Sequence, residues 1–295
     1  STQSQEFTIE ATVTDESQQV VAGRVQVVVH KGEVYIGARP EVYVSTAGTE
    51  TTVNLIAVDW QSAGVADQAI AVEVVERRWS NVQEQDELGR TTWTWQVEEI
   101  PVITGSVTTD SSGKAVFTFT PEHGGIYKVK INSRDARGNE IIAATSLWVA
   151  GDEFVSWRQQ NSNRIDLVAD KQDYVVGETA EILITSPFQG SAQALVTVER
   201  GSVLSVERIT LDTNSTIYRI PITADFAPNV FVNVMLVKGV DENNPVAGFR
   251  AGMLQLSVDN NQKAITIAIT PDREQVGPRE TVTYNVTTTD YAGNP

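Results

Sequence analysis

The residues with chemical potential are few. The chain has two histidines, His30 and His123. Imidazole titrates near neutrality and serves as a general base or a metal ligand. Neither histidine has a second one at metal-ligand spacing or a Gly-x-Ser-x-Gly elbow nearby, so both are expected to be exposed residues at strand ends or turns. Glu98-Glu99 would project to opposite faces of a strand, which prevents the two carboxylates from sharing an acid–base task. Gly124-Gly125, after Pro121-Glu122-His123, falls between two strands and not at a helix start, so it makes no phosphate cradle. With no cysteine in 295 residues, thiol catalysis, disulfides and zinc–thiolate sites are excluded within this stretch. Three Asp-x-x-Gly segments, beginning at Asp110, Asp135 and Asp290, put carboxylates in loops. Calcium would need a longer ladder of spaced oxygen ligands than they offer. The expectation is therefore a chain with no catalytic residue, no cofactor and no metal site, in which these aspartates shape turns.

Turns of that kind imply strands. Asp bonds the backbone two residues on, and Gly accepts the positive φ that closes a tight hairpin. Nearly every periodic stretch alternates with period two, as in Val25–Val29, Ala71–Val75, Val116–Phe119 and Ile265–Ile269, and no stretch has a helical period. Two pieces recur. A closing hairpin runs from Phe7 through Asp15 to Val29, again from Tyr127 through Asp135-Ala136-Arg137-Gly138-Asn139 to Val149, and more loosely from Phe231 through Asp241–Pro245 to Val258. An opening piece, Gly followed within three residues by Glu-Thr, occurs at Gly48, Gly177 and Gly277. Glu50 and Glu178 lie 128 residues apart, and Glu178 and Glu280 lie 102 apart. Such periods suit immunoglobulin-sized sandwiches of about 100 residues and not solenoid repeats of roughly 20 to 45.

The fold class expected is all-β, a string of immunoglobulin-like antiparallel β-sandwiches. Its units are the closing part of one sandwich at 1–36, a complete sandwich at 37–160, a second at 161–261 and the opening part of another at 262–295, so the chain reads as a segment of a longer modular protein. The extra length of the first complete unit falls between Val75 and Val107, as an added hairpin with a polar stretch from Ser80 to Arg90 and with Trp93 and Trp95 on one face. Linkers over Lys31–Pro40, Ala150–Asn163 and Asp259–Lys263 are poor in flexible residues, which predicts a stiff string in which Trp148 and Trp157 pack across the second junction.

Charge narrows the partners. With 22 Lys plus Arg against 38 Asp plus Glu, the formal charge of −16 opposes the phosphate neutralisation on which nucleic-acid binding depends. No apolar run reaches the ~20 residues of a spanning helix, so insertion of this segment into a membrane is not expected. Any targeting signal is expected outside the segment.

Asp170 to Arg200, continuing through Ile220-Pro221-Ile222 and Ala227-Pro228-Asn229-Val230, resembles the bacterial α2-macroglobulin family, specifically the macroglobulin-like module just before the bait-region module. Val116–Pro121, Gly125-Ile126-Tyr127 and Asp135–Asn139 are similar to the close of the preceding module. Gly277–Tyr284 with Asp290–Pro295 is similar to the opening of the following one. The resemblance spans essentially the whole chain. It implies macroglobulin-like domains serving as scaffold in a broad-range endopeptidase inhibitor that encloses proteases after they cut a bait segment. In many members a Cys-Gly-Glu-Gln thioester then captures the prey; with no Cys, this segment carries none, and it is expected to end before the bait. Implied partners are proteases, for the full-length parent, and neighbouring modules of the same chain. The implied location is periplasmic, cell-surface or extracellular in a bacterium, with any lipid anchor outside the segment. The alternative function is a cell-surface adhesin or carbohydrate-binding array of the same kind of module.

Overall fold

A computed structural model describes residues 4–85, 91–158 and 162–295, with the side chains of 81–85, 91–93 and 262 left out. Twenty strands and two short 3-10 turns make up the described structure. Gln5–Thr14 (β1) and Val20–Val29 (β2) form an antiparallel hairpin. The first sandwich contains Val34–Pro40 (β3), Val44–Thr46 (β4), Thr51–Asp59 (β5), Ala69–Gln85 (β6), Thr91–Thr108 (β7), Lys114–Phe119 (β8), Gly125–Arg134 (β9) and Glu140–Ala150 (β10). The second contains Leu167–Ala169 (β11), Asp173–Tyr174 (β12), Thr179–Thr185 (β13), Ala192–Arg200 (β14), Ser202–Leu211 (β15), Ser215–Pro221 (β16), Asn229–Lys238 (β17) and Gly248–Val258 (β18). Ile265–Pro271 (β19) and Tyr284–Asp290 (β20) form a last hairpin.

The two sandwiches share one topology, offset by eight strands. Sheets ordered β3-β5-β8 and β4-β10-β9-β6-β7 in the first correspond to β11-β13-β16 and β12-β18-β17-β14-β15 in the second. In each, a short strand runs parallel to the last one, β4 along β10 and β12 along β18. Every other pairing within these sheets is antiparallel.

Alternation sends one side of each sheet inward. In β9, Tyr127, Val129 and Ile131 are buried while Lys128, Lys130 and Asn132 face out. The inward set joins Val53, Leu55, Val72, Val74, Phe117 and Leu147 in one core. Its counterpart gathers Tyr174, Ile182, Ile184, Val196, Leu211, Val232, Val234 and Leu256. Branched side chains dominate both, since they pack well on a pleated surface. One expectation changes. The linker expected over Lys31–Pro40 is shorter, because Val34–Pro40 is a strand with Val34 and Ile36 in the first core. The added hairpin expected between Val75 and Val107 is there as an outward run of β6 and β7 themselves, paired from Ala69↔Thr108 to Gln85↔Thr91.

The aspartate turns take the form expected. The Asp110 and Asp290 carboxylates each accept from the backbone N–H groups two and four residues on, with Gly113 and Gly293 at φ near +80°. Asp59 does the same for Gln61 and Ala63. Asp135 goes further: besides Arg137 and Asn139 of its own turn, it accepts the Glu33 N–H at 2.9 Å, tying the stretch after β2 to the first sandwich. The Asn139 amide foremost, then the Glu33 N–H, holds the Asp135 carboxyl down at about 2. The ordinary value for an unfolded Asp is about 3.9. A depressed folded pKa stabilises the fold above the unfolded value, and that contribution fades as pH drops through the folded one. Asp241, held to about 2 chiefly by Lys238, adds to the same window. Urea denaturation followed from about pH 5 to about 2 should show stability falling with acid, and Asp135→Asn should flatten the fall; an unchanged slope would refute the assignment.

Gly64 bridges to Val58 beside the Asp110 turn. A Cβ there would run into the Ser112 carbonyl. Because that obstacle is backbone, Gly64→Ala should cost about 2 kcal/mol through displaced chain, read as a lower urea midpoint.

Candidate functional site

The most heavily built region outside the cores is the junction between the sandwiches. The linker after β10 is pinned from both sides. On the first-sandwich side, a Cβ at Gly124 would lie 2.6 Å from the Val155 side chain and 2.9 Å from the Gly151 nitrogen, so only glycine lets the linker lie this close. The Gly124 N–H donates to the Glu153 carboxylate at 2.8 Å. That bond and, more strongly, the residue's own N–H hold the Glu153 carboxyl below the usual carboxylate range.

On the second-sandwich side the turn between β15 and β16 supplies Asn214, which is 4 % exposed. The Val155 N–H donates to Asn214 Oδ1 at 2.9 Å, while Asn214 Nδ2 donates to the carbonyls of Val155 at 2.7 Å and Ser186 at 3.1 Å. The Asn214 carbonyl accepts the Trp157 indole N–H at 2.8 Å and the Ser186 N–H at 3.0 Å. Next to it, the Gly151 N–H donates to the Ser215 hydroxyl at 3.0 Å. One amide side chain thus saturates the linker backbone and the sandwich backbone together, as buried polar groups require.

A second seam lies alongside. The Tyr43 N–H donates to the Asp170 carbonyl, and the Trp148 N–H to the Tyr43 carbonyl, both at 2.8 Å. Asp170 is buried, its carboxylate accepting from the Tyr174 hydroxyl at 2.7 Å and the Glu181 N–H at 2.8 Å. Burial foremost, then the bond to Asp170, raises the Tyr174 pKa, so the phenol stays a donor. Between the seams Val44, Ala150, Val155, Trp157 and Leu183 form an apolar cluster distinct from the two cores, with Trp148 packed on it. Apolar packing with saturated polar groups is what a fixed junction needs; domain contacts are otherwise modest and mobile.

The extension of β6–β7 reaches the same place. Beyond Arg77, β6 has only β7 as partner. There the guanidinium groups of Arg77, at 4.8 Å, and of Arg158 in the linker, at 5.3 Å, both lie over the Trp79 ring. The Ser156 hydroxyl donates to the Trp79 carbonyl. Below it a cleft of about 260 Å³ is lined by Glu76, Arg78, His123, Glu153 and Phe154 among others. Glu76 is buried and bonded to Arg78 at 2.7 Å, and His123 Nδ1 stands 3.8 Å from Glu153. Tyr127, pushed up to about 12 by burial, donates to the His123 carbonyl. Charges are balanced within the cleft, which serves to join linker and sandwich.

Trp148 and Trp157, expected at the second junction, meet there. The Gly124-Gly125 loop belongs to it too, as linker support. His123 is at its rim, whereas His30 lies at the preceding junction, 2.6 Å from the Tyr35 hydroxyl. Glu99 pairs with Lys130 on the outer face of the sheet. Trp93 and most of the polar stretch from Ser80 to Arg90 fall outside the described side chains. Among the described residues no group of three or more His, Cys, Asp or Glu could hold a metal ion, and no helix is long and apolar enough to cross a membrane. The sequence reading missed Asn214, whose setting in Asp212-Thr213-Asn214-Ser215 looks like any polar turn. The one available signal was a turn offering four successive side-chain oxygens, from Asp212 to Ser215.

Repeated sandwiches joined by a hydrogen-bonded linker define a modular all-β protein. Residues 37–150 match the family model "Bacterial macroglobulin domain 6" and residues 165–293 match "Alpha-2-macroglobulin bait region domain". The chain belongs to the bacterial α2-macroglobulin family. It is similar to the α2-macroglobulin of Ralstonia nicotianae, at 32 % identity over 203 residues covering 65 % of this chain and 12 % of that protein. It is also similar to the α2-macroglobulin homolog of a Nostoc strain, at 25 % identity over 260 residues covering 86 % of this chain and 13 % of that one. The chain thus spans about an eighth of the length of these curated relatives. Among solved structures, the native conformation of Escherichia coli α2-macroglobulin aligns with 98 % of this chain and 19 % of its own, at 14 % identity and a TM-score of 0.40.

Proposed function

We propose that this chain is a scaffold segment of a bacterial α2-macroglobulin-type inhibitor of broad range, which encloses endopeptidases after they cut its bait. Its units are a closing piece ahead of β3, macroglobulin-like sandwiches at 34–160 and 161–261, and an opening piece at 262–295, and it performs no chemistry of its own. The observation that carries this reading is the junction, in which Asn214, Trp157 and Leu183 make one stiff body of two sandwiches. A cage that closes around a protease needs such bodies, so that cleavage at one place moves distant modules as units. Short-looped sandwiches also present little unfolded backbone to the enzyme being caught. The match of 165–293 to the bait region domain supports placing the second sandwich and the piece after it in that domain of the inhibitor. The thioester of other members lies outside this cysteine-free stretch. Proteases are then partners of the whole inhibitor and adjoining modules are partners of this segment, in the periplasm or at the cell surface.

The test uses the polypeptide extended to the length of the relatives, incubated with several unrelated proteases and assayed on large and small substrates. Large-substrate cleavage should fall while small-substrate cleavage persists. Loss of both, or of neither, would overturn the proposal.

A further inference from the structure

The shared topology supplies an internal control for the outer faces of the two five-stranded sheets. In the first sandwich that face is a solvated ionic lattice: Lys130 pairs with Glu99 at 2.7 Å and approaches Glu73 at 3.7 Å, and Lys128 approaches Glu99 at 3.8 Å. In the second sandwich the corresponding strands β18, β17 and β14 put Phe249 opposite Val237, Met235 opposite both Ala251 and Leu195, and Met253 opposite Asn233. All the large apolar members are exposed, Met235 by 42 % and Met253 by 63 %. Both methionines of the chain are here. A shallow trough of about 350 Å³ runs between them. Water should not face such a strip in one sandwich when its twin carries ions, unless something covers it. Methionine suits that use, being adaptable at contact surfaces.

The ends of the strip say what covers it. One row across the sheet reads Arg164, Ala251, Met235, Leu195, Arg208. Among the described residues neither arginine has a carboxylate partner, although acids outnumber bases 38 to 22. Four strand spacings separate them, roughly 19 Å. We infer that this face is a docking surface for another protein module of the same acidic polypeptide, apolar at its centre and carrying carboxylates toward both arginines. A second copy placed on the strip by a two-fold axis would set arginine against arginine, which disfavours self-pairing. The inference rests on the reading of the chain as part of a longer scaffold.

Methionine oxidation by hydrogen peroxide, read by mass spectrometry, tests it. Met235 and Met253 should oxidise about ten-fold more slowly in the polypeptide extended to the relatives' length than in this chain alone, since susceptibility follows exposure. Arg164→Glu with Arg208→Glu, two exposed positions outside both cores, should restore the faster rate in the extended polypeptide. Equal rates in the two polypeptides would overturn the inference. So would protection in the chain alone, produced either by a dimer seen in sedimentation or by vesicles of anionic phospholipid. If the extended polypeptide fails to enclose proteases but both methionines stay protected, the inhibitor reading falls and the docking surface stands.

Discussion

Asn214→Ala is expected to uncouple the two sandwiches. The change strands the Val155 N–H and the carbonyls of Val155 and Ser186, all served by that side chain. Each unsatisfied buried group costs about 1–3 kcal/mol, so a loss of roughly 3–5 kcal/mol follows, in the range reserved for broken buried networks. Neither core is touched. Thermal unfolding should therefore change from one cooperative transition to two, the second sandwich and the first melting apart. Asn214→Asp is the stringent companion, because it keeps Oδ1 for the Val155 N–H but points a carboxylate at two carbonyls. It should be no better than Ala. A single transition at the original midpoint in either variant would mean that the linker bonds contribute nothing to coupling.

Leu183→Asp is expected to separate the sandwiches through the apolar part of the same junction. Leu183 lies in β13 but points away from the second core, fully buried against Val44, Ala150, Val155 and Trp157. A carboxylate there has no partner, and the cost of burying it is about 4 kcal/mol or more, so the junction opens to water instead. Small-angle scattering should then report a longer, looser particle while far-ultraviolet circular dichroism keeps its sheet signature. The control is Leu195→Asp, on the exposed face of β14, which should leave shape and stability nearly unchanged. If the two substitutions behave alike, the cluster around Leu183 is not a structural contact.

What could be read from residue types was whatever depends on local chemistry. Asp110, Asp135 and Asp290 announce their turns because the side chain bonds its own backbone two and four residues on. Alternation in β9 and β14 announces a buried face because the strand period is two. The repeat was legible for the same reason, since closing and opening pieces are built from such turns. Legibility failed where partners are remote. Val155 and Trp157 lie 59 and 57 residues from Asn214, and no local pattern distinguishes a turn that closes a hairpin from one that also clamps a linker. The third opening piece shows the opposite error: Gly277, Glu280 and Thr281 repeat the motif, but the strand begins only at Tyr284. The methionine strip was in principle readable, since Met235-Leu236-Val237 breaks the alternation of β17 with apolar residues on both faces.

The short parallel strands β4 and β12 have a mechanical consequence. Each lies near the entry of its sandwich and is hydrogen-bonded alongside the strand by which the chain leaves. A pull on the polypeptide in the lengthwise direction therefore loads those bonds in shear, so they must yield together, whereas a hairpin pulled at its open end unzips one bond at a time. Tension applied along the chain would therefore pass from the first sandwich to the second along this line.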